Sequence, residues 1–384
     1  MKHLPFILVL SALLVAGHSA KARTWSVEQD GSGDWATIQE AVDASASGDT
    51  IMIGAGRYSE IHPVPGTATT TAVAHLLEVK DLTLVGMGPE ESIIGPESIT
   101  ETCAVFFIGV TSAFAVSGVQ IVNSHAGIWA YGNIELKQST FDGCWIGCWV
   151  DGGDVWASNC TFLPPVPAPT TTLSFNINSS SDAIIEGCHF TDLNVYLDSV
   201  TSSTIRDCVF EHPIGNNAGN SVKFVSSNGV FEGNRTDGRV VCQGNSNVVL
   251  RENEFLTGLP DVSLLISEQY AEVEIYDNVF HGSSFSTIFL RLAPSLSGSG
   301  NHILNDNSGG FSVRLQYYGD YNNNPVVDLR NNYWGTDDPA QIDAWIYDIH
   351  DDPNEDTEVL YEPFSDVPLP TEKRSLGGFK SLYR

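Results

Sequence analysis

Acidic side chains recur at one position of a repeated segment in the middle of the chain. Each directly precedes a small or amide residue, and the four are Asp207, Glu252, Asp277 and Asp306. If the repeats stack as coils, Glu252, Asp277 and Asp306 lie on consecutive coils, roughly 5–10 Å apart. Such a spacing suits Ca²⁺ ligation or an acid–base pair for glycosidic cleavage, so these three are candidate catalytic residues and Ca²⁺ is a candidate cofactor. The alternative is solvated acids on turns, paired with the adjacent Arg206, Arg251 and Arg330.

Tryptophans form the second set of candidate residues. The segment GIWA at 127–130 aligns with GCWV at 147–150. Strand alternation then turns Trp129 and Trp149 outward on adjacent coils, and Trp156 faces outward one strand further on. Because exposed indoles can hold sugar rings, all three are candidate substrate-binding residues. The alternative is a satellite core, in which a lateral loop such as Leu163–Pro169 covers them.

Both sets belong to an internal repeat. Nine short β-like runs between Ile134 and Trp334 share one column of small or amide residues, at steps of 19 to 29 residues. The column reads Ser139, Cys160, Cys188, Cys208, Asn234, Asn253, Asn278, Asn307 and Asn332. A period of this size predicts a parallel solenoid with one coil per repeat. Its Asn residues are expected to adopt the left-handed turn conformation and to bond one another as a structural ladder.

Two segments are predicted to close the ends of the solenoid. At the front, Thr37 to Glu40 has the pattern of a capping box, which predicts a short helix from Ile38 to about Ala46. At the back, the apolar spacing within Gln341–Ile349 predicts a second helical lid.

Charge and cysteine content limit the function classes. The formal net charge of −29 excludes nucleic acid as a partner and makes a polyanion an awkward one unless Ca²⁺ bridges the two. Seven cysteines leave at least one unpaired inside the chain. Cys160, Cys188 and Cys208 could form an inter-coil disulfide or remain buried thiols, and the spacing does not suit a zinc site.

The termini carry targeting features. Lys2 and His3 precede an apolar run that ends before Ala20-Lys21-Ala22, which predicts a secretory signal over residues 1–22. The run is too short to span a membrane, and no later segment is apolar enough. We expect a β-helix domain over residues 23–364 and a tail over 365–384 that carries a sorting signal or is disordered. The protein is expected to be secreted or held at the cell surface (a periplasmic location is the alternative), and to be a monomer.

The segment DGSGDWATIQEAVDASASGDTIMIGAGRYSE (30–60) resembles the N-terminal opening of the pectin-lyase-like superfamily. NNYWGT, followed by DPAQIDAWIYDIHDD and VLYEPF (331–364), is similar to the closing segment of secreted bacterial β-helix proteins. The resemblance covers nearly all of the chain after the signal. It implies an all-β fold, a single-stranded right-handed parallel β-helix with a short N-terminal capping helix.

The catalytic motifs of this superfamily are absent from the chain. The segments that mark pectin methylesterases, pectate lyases and polygalacturonases do not occur, so no family catalytic residue can be carried over. We therefore predict a protein that interacts with extracellular polysaccharide or cell-surface glycan, as a polysaccharide lyase or a glycoside hydrolase. The alternative is a non-catalytic adhesion or structural solenoid.

Overall fold

The fold was analysed in a computed structural model of the 384-residue chain. The structure describes residues 21–166, 172–212, 219–256, 262–268, 270–305, 310–316, 325–352, 354–355 and 357–368. Over these residues the chain winds into a parallel β-solenoid of about 11 turns, which confirms the predicted fold class. None of the helices described in the chain is long and apolar enough to cross a membrane.

Each coil contributes one strand to each of three sheets, so residues from successive coils become neighbours. The first sheet has 14 strands among the described residues: Thr24–Val27, Thr50–Ile53, Leu82–Gly86, Ala113–Ser117, Asn133–Lys137, Val155–Ser158, Asp182–Glu186, Ser202–Arg206, Gly229–Glu232, Asn247–Arg251, Glu272–Tyr276, Ser295–Ser299, Val327–Asp328 and Val359–Leu360.

The second sheet follows the first within each coil. In the described part of the chain it has 11 strands: Gly56–Tyr58, Ser92–Ile94, Gln120–Val122, Thr140–Asp142, Thr161–Leu163, His189–Thr191, Val209–Glu211, Arg235–Thr236, Glu254–Phe255, Val279–Phe280 and His302–Ile303.

The third sheet completes the coil. Its 13 described strands are His62–Pro63, Thr71–Leu76, Thr100–Ile108, Ser124–Ala130, Ile146–Asp151, Leu173–Asn178, Asn194–Asp198, Asn220–Val225, Arg239–Gln243, Val262–Ser267, Ser286–Arg291, Phe311–Gln316 and Ile346–Tyr347. The pairing of His62–Pro63 with Thr71–Leu76 is antiparallel, and the other pairings between the strands of all three sheets are parallel.

The core is a column of stacked rings inside the coils. Every second side chain of a strand points inward, and the aromatic that ends most repeats is one of these. Phe162 stacks on Phe141 and Phe190 with centroid distances of 4.7 and 5.2 Å, and Phe255 stacks on Phe280 at 4.4 Å. Burial of one such side chain contributes about 1.5–3 kcal/mol, so the repeat that sets the register also supplies the core.

Asparagine side chains connect the coils at the turn between the first and second sheets. Asn234, Asn253 and Asn278 each donate from Nδ2 to the Oδ1 of the next rung, at 3.1, 2.9 and 2.9 Å. Each Oδ1 also accepts from the backbone N–H of the preceding rung, for example Asn253 N to Asn278 Oδ1 at 3.0 Å. Because these amides are buried, the ladder supplies partners to backbone groups that water cannot reach.

The structure corrects the predicted ladder at one coil. Asn301, not Asn307, forms the rung between Asn278 and Asn332, and its Nδ2 donates to Asn332 Oδ1 at 2.9 Å. The prediction failed at this coil because Ile303 stands where other repeats have an aromatic residue two positions after the rung. Without that aromatic, the sequence alignment placed the rung at the later Asn307 and not at Asn301. Asn307 and Asp306 lie outside the described residues.

The earlier rungs use sulfur in place of the amide. All seven cysteines are free and buried. Of the two alternatives for Cys160, Cys188 and Cys208, buried thiols are therefore confirmed and an inter-coil disulfide is not formed. Cys160, Cys188 and Cys208 each donate to the carbonyl two residues earlier, at 3.4, 3.4 and 3.2 Å. Their small volume fits the narrow turn in the same way as the amides.

The front of the solenoid is closed as predicted, whereas the back is not. A helix over Ile38–Ala44 begins with the expected capping box of Thr37 and Glu40, and Gln39 covers the first long strand of the third sheet by accepting from His75 N at 2.7 Å. At the other end the helix covers only Pro339–Asp343. Ile346–Tyr347 is a strand that pairs with the last open edge of the third sheet, so the predicted helical lid over Gln341–Ile349 is wrong.

Candidate functional site

The predicted carboxylate column lies at the turn between the first and second sheets. Glu252 and Asp277 occupy equivalent positions on consecutive coils, are exposed, and have φ of 57° and 55°. On the coils before and after this pair the same position is Gly233 and Gly300, with φ of 65° and 77°. The left-handed residue of the turn is therefore the one before the ladder, not the ladder asparagine itself, which corrects that expectation. Asp and Glu here have a conformational role beside any chemical one.

The arginines beside this column pair with other acids than predicted. Arg206 Nη2 lies 2.7 Å from Glu186 Oε2, and Arg251 Nη2 lies 2.9 Å from Glu232 Oε2. Both pairs stand on the outer face of the first sheet, where opposite charges meet on neighbouring strands. Arg330 Nε donates to Asp328 at 2.8 Å. The predicted pairing with the turn acids is wrong, because strand register brings Glu186 and Glu232 closer.

The three candidate tryptophans do not form one surface. Trp129 and Trp149 lie on the third sheet and stack face to face, with centroids 5.0 Å apart and an interplanar angle of 3°. Phe107 extends this stack, 5.8 Å from Trp129. Trp156 lies on the first sheet and is 52% exposed. The prediction that Trp156 faces outward one strand further on is confirmed, but the chain passes into another sheet between residues 149 and 156.

The stacked indoles are partly buried. Trp129 packs against a small outer cluster of Val64, Ala104, Phe107 and Ala126. The satellite core that was the alternative for these residues is therefore present beside Trp129, and it is Val64, not the Leu163–Pro169 loop, that packs there among the described residues. Residues 167–169 of that loop lie outside the described part of the chain. One face of each indole is covered by the other indole, and Phe107 contacts Trp129 from the preceding strand.

The stripe of Phe107, Trp129 and Trp149 continues into a polar region that sequence reasoning missed. Strand register places Asn176, Tyr196 and Lys223 next on the same outward column. Asn194, Asn220 and Arg239 stand beside them at the start of their strands. We call Asn176, Asn194, Tyr196, Asn220, Lys223 and Arg239 the central polar patch.

The patch joins a cation to an aromatic ring and to polar atoms without partners. Lys223 Nζ lies 5.5 Å from the centroid of the Tyr196 ring. Asn176, Asn194 and Asn220 each end in a buried amide oxygen that has no hydrogen-bond partner in the structure. Buried acceptors are rarely left in this state, and a ligand or ordered water is a common reason for one. Three of them on neighbouring strands mark this region as a candidate binding site.

Electrostatics set the protonation state of the phenol in the patch. Partial burial raises the pKa of Tyr196, and the nearby carboxylate of Asp198 raises it further. The phenol therefore keeps its proton over the physiological range and donates it in a hydrogen bond to Asp198.

A buried polar cluster supports the patch from the turn between the second and third sheets. His212 Nδ1 lies 2.8 Å from Asp237 Oδ1, and His212 Nε2 lies 2.8 Å from the backbone oxygen of Asn220. Burial would raise the pKa of Asp237, but hydrogen bonds from His212 outweigh it and the pKa is lowered. A Cβ at Gly238 would fall 2.5 Å from the His212 ring, so only glycine fits there. The His212 side chain is buried at this turn.

Strand alternation carried a signal for the patch. In LSFNIN, NVYLD and NSVKFV the inward residues are apolar, so Asn176, Tyr196 and Lys223 are outward by the same alternation that identified the tryptophans. The loops between these strands differ in length, and register across coils could not be read without the structure. Within the residues that the structure describes, no group of three or more His, Cys, Asp or Glu side chains could hold a metal ion. The participation of Ca²⁺ stays a prediction.

Solved structures with a similar fold act on polysaccharides. A mannuronic acid specific polysaccharide family 6 lyase enzyme from human gut microbiota is 12% identical, with a TM-score of 0.49 over 88% of this chain and 92% of that one. Pectate lyase Pel9A is 11% identical, with a TM-score of 0.40 over 90% of this chain and 79% of that one. Pectin methylesterase from carrot is 14% identical, with a TM-score of 0.31 over 89% of each chain.

No protein-family model and no curated protein matches this chain. At such identities and TM-scores the similarities carry no argument about activity, so the candidate function depends on the geometry of the chain itself.

Proposed function

We propose that this protein binds an acidic extracellular polysaccharide along the outer face of the third sheet and cleaves it by β-elimination at the central polar patch. The observation that carries the proposal is the position of Lys223, whose Nζ lies 5.5 Å from the Tyr196 ring centroid beside amide oxygens that lack partners. An amine, a protonated phenol and amides on one rigid sheet are a suitable set for proton abstraction next to a carboxyl group.

Local charge favours an acidic substrate at this face. The chain carries a formal net charge of −29, yet Lys223 and Arg239 stand on paired strands of the same face. From the register their Cα atoms are roughly 8 Å apart, close enough to contact one sugar carboxylate together. Acidic side chains on the rest of the surface repel a polyanion, so it is expected to bind in this region.

The side chains of the patch divide the reaction between them. Arginine stays charged and pairs with carboxylates through two parallel hydrogen bonds, so Arg239 is assigned to hold the substrate carboxylate and stabilise the charge that develops on it. An amine removes a proton only in its unprotonated form, and in that form Lys223 is assigned to remove the hydrogen on the carbon next to the carboxyl group. Tyr196, which carries a proton, is assigned to protonate the leaving glycosidic oxygen.

The atoms balance without a further reactant. One C–H bond and one glycosidic C–O bond break, one C=C bond forms, and the proton that Lys223 takes equals the proton that Tyr196 gives. Hydrolysis needs two carboxyl groups at the reacting bond, whereas the six residues of the patch supply none and the carboxylate described beside Tyr196 is that of Asp198 alone. Elimination therefore fits the patch better than hydrolysis.

The proposal includes secretion of the protein, because the polysaccharide that it names as the substrate is extracellular. The apolar N-terminal run and Ala20-Lys21-Ala22 support it. N-terminal sequencing of the protein from culture medium is expected to begin after Ala20 or Ala22. An uncleaved chain found only inside cells would contradict this part.

The activity is tested with polymannuronate, polyguluronate and polygalacturonate, with and without added Ca²⁺. We expect products with an unsaturated end, detected by the ultraviolet absorbance of the new C=C bond and by mass. Lys223→Met, which keeps the length of the side chain and removes the amine, should reduce the rate by at least about 100-fold. Lys137→Met is the matched control, since Lys137 pairs with Glu135 on the first sheet.

Two outcomes would contradict elimination. New reducing ends without unsaturation would indicate hydrolysis, and the search for the active site would return to Glu252 and Asp277. Binding without any product, weakened by Lys223→Met, would favour the non-catalytic adhesion solenoid. An increase in rate with Ca²⁺ that chelation reverses would establish the predicted cofactor.

A further inference from the structure

A separate concave site lies on the outer face of the first sheet. It has a volume of ≈ 230 Å³ and crosses the strands Leu82–Gly86, Ala113–Ser117, Asn133–Lys137 and Val155–Ser158. Register places Thr83, Ala115, Glu135 and Trp156 in one outward column across it. The cleft forms because the outward side chains on the first two of these strands, Thr83 and Ala115, are small, whereas the fourth strand carries the large indole of Trp156.

The rim of this cleft is held by the turns that enter the strands. Asp81 Oδ1 accepts from Ala113 N at 2.9 Å, Asn133 Oδ1 accepts from Asp154 N at 3.0 Å, and Asp154 Oδ1 accepts from Asp182 N at 2.9 Å. Each side chain thus bonds the backbone of the next coil. A Cβ on Gly153 would lie 2.0 Å from the Gly132 carbonyl oxygen, so these turns stack too closely for any other residue. The rim is therefore rigid.

Polar atoms remain for a ligand on this rim. The hydrogen bonds described for Asp81 and Asp154 in this part of the chain use Oδ1, which leaves Oδ2 of each carboxylate as an acceptor. Burial works to raise the pKa of Asp154, but hydrogen bonds from Ser181 and Asp182 outweigh it and lower the pKa. Asp154 is therefore an ionised acceptor and not an acid.

We infer that this cleft is a second carbohydrate site, which takes one neutral hexose unit. The half-exposed indole of Trp156 offers an apolar surface to a sugar ring, and the carboxylates of Asp81 and Asp154 accept hydrogen bonds from sugar hydroxyls. A uronate would meet the carboxylates of Asp81 and Asp154 and be repelled, whereas Glu135 is already paired with Lys137. The volume is below the ~300–1,000 Å³ of pockets for larger ligands, which limits the occupant to about one unit.

This site does not depend on the function proposed for the third sheet. Its ligand is neutral where the other is anionic, and its residues lie on another face of the coil. A protein with both would hold a neutral glycan at one face while it acts on an acidic one at another.

The inference is tested by calorimetric titration of the mature chain with hexamers of β-1,4-linked glucose and mannose, and with a mannuronate hexamer for comparison. We expect a neutral hexamer to bind, and Trp156→Ala to weaken that binding at least 10-fold. Asp81→Asn should weaken it several-fold. Tyr270→Ala, which removes a 62% exposed aromatic elsewhere, is the matched control and should change nothing.

The variant Lys223→Met separates the two sites, because it should leave neutral-hexamer binding unchanged even if the proposed cleavage fails. Circular dichroism and the urea midpoint of each variant establish that it is folded. Absence of neutral-hexamer binding to the wild-type chain, or equal binding by folded Trp156→Ala, would overturn the inference. Loss of mannuronate binding on Trp156→Ala would overturn the preference for a neutral ligand.

Discussion

The outer faces of the first and third sheets are built on the same coils and differ in how their polar groups are paired. On the first sheet Glu186 meets Arg206 at 2.7 Å, with both side chains exposed, and the exposed Arg251 meets a partly buried Glu232 at 2.9 Å. On the third sheet Lys223 lies over an aromatic ring, and the nearby amide oxygens of Asn176 and Asn194 have no partner in the structure. The charged side chains of these ion pairs already have partners, whereas the amide oxygens on the third sheet still need a hydrogen-bond donor from a ligand or from ordered water.

The two faces also differ in how regularly their residues recur along the sequence. The acids at the turns and the arginines beside them recur along the repeat, and the structure gives them conformational and pairing roles. The patch on the third sheet is irregular in sequence because each coil contributes a different side chain. Regular columns reflect what every coil needs, and departures from them mark the places where one coil differs in function.

The largest effect is expected for the phenol of the patch. Tyr196→Phe should lower kcat about 100-fold with little change in KM, because it removes the proton donor and leaves the ring under Lys223. Tyr276→Phe on the first sheet, where the hydroxyl only donates to Glu274 at 2.8 Å, should leave kcat unchanged. Equal losses in the two variants would contradict the distinction between the faces.

A ladder variant should separate stability from activity. Asn278→Ala removes bonds to Asn301 Oδ1 and Leu250 O at 2.9 Å each and leaves buried backbone groups without partners. We expect the unfolding free energy in urea to fall by about 2–4 kcal/mol while kcat of the folded enzyme is retained. Asp277→Gly, one residue earlier, should be neutral or stabilising because glycine accepts a φ of 55° without strain.

Alkaline pH should weaken the core that both faces share. Burial raises the pKa of Cys103 and Cys144 from 9.0 to about 11, and burial together with Glu28 raises the pKa of Tyr58 from 10.0 to about 12. These groups favour the folded state in their neutral forms, so their contribution is complete below pH 9 and is lost as pH rises to 12. Urea midpoints measured from pH 8 to 11 should fall, and Tyr58→Phe should reduce the part of the fall above pH 10. Midpoints that stay constant over this range would contradict the effect.

The smallest effect is expected on the first sheet. Arg206→Gln breaks an exposed pair with Glu186 and should change the unfolding free energy by less than about 1 kcal/mol. Cleavage of the acidic polysaccharides should be unaffected. A large loss of activity would mean that the first sheet, and not the third, contains the reacting site.

The solenoid could be predicted from the sequence because the patterns that indicate it involve residues close together in the chain. Alternation within a strand, the capping box at Thr37 and the terminal aromatics each depend on neighbouring residues, and all appear in the structure. The rung at Asn301 was missed because Gly298 and Ile303 replace the usual residues of the pattern, and the back lid was misread because a spacing of three and four residues also fits a turn followed by a short strand.

The candidate site could be predicted only in part, since it depends on which coils are neighbours and on which sheet a residue falls. Trp129 and Trp149 were placed correctly because one repeat separates them. Trp156 was correctly predicted to face outward, but the sequence did not show that seven residues are enough for the chain to enter another sheet. Lys223 and Tyr196 are 27 positions apart with a loop between them, and nothing in the sequence gives that pairing.

The stacking of the coils has a consequence for the length of chain that the third sheet can engage. From Phe107 to Arg239 the outer face crosses seven strands, which corresponds to about 29 Å along the axis. A short oligosaccharide that covers the patch alone would forgo every contact with Phe107, Trp129 and Trp149. Long polymers should therefore be degraded first, and products should accumulate once they no longer reach from the reacting groups to the aromatic end.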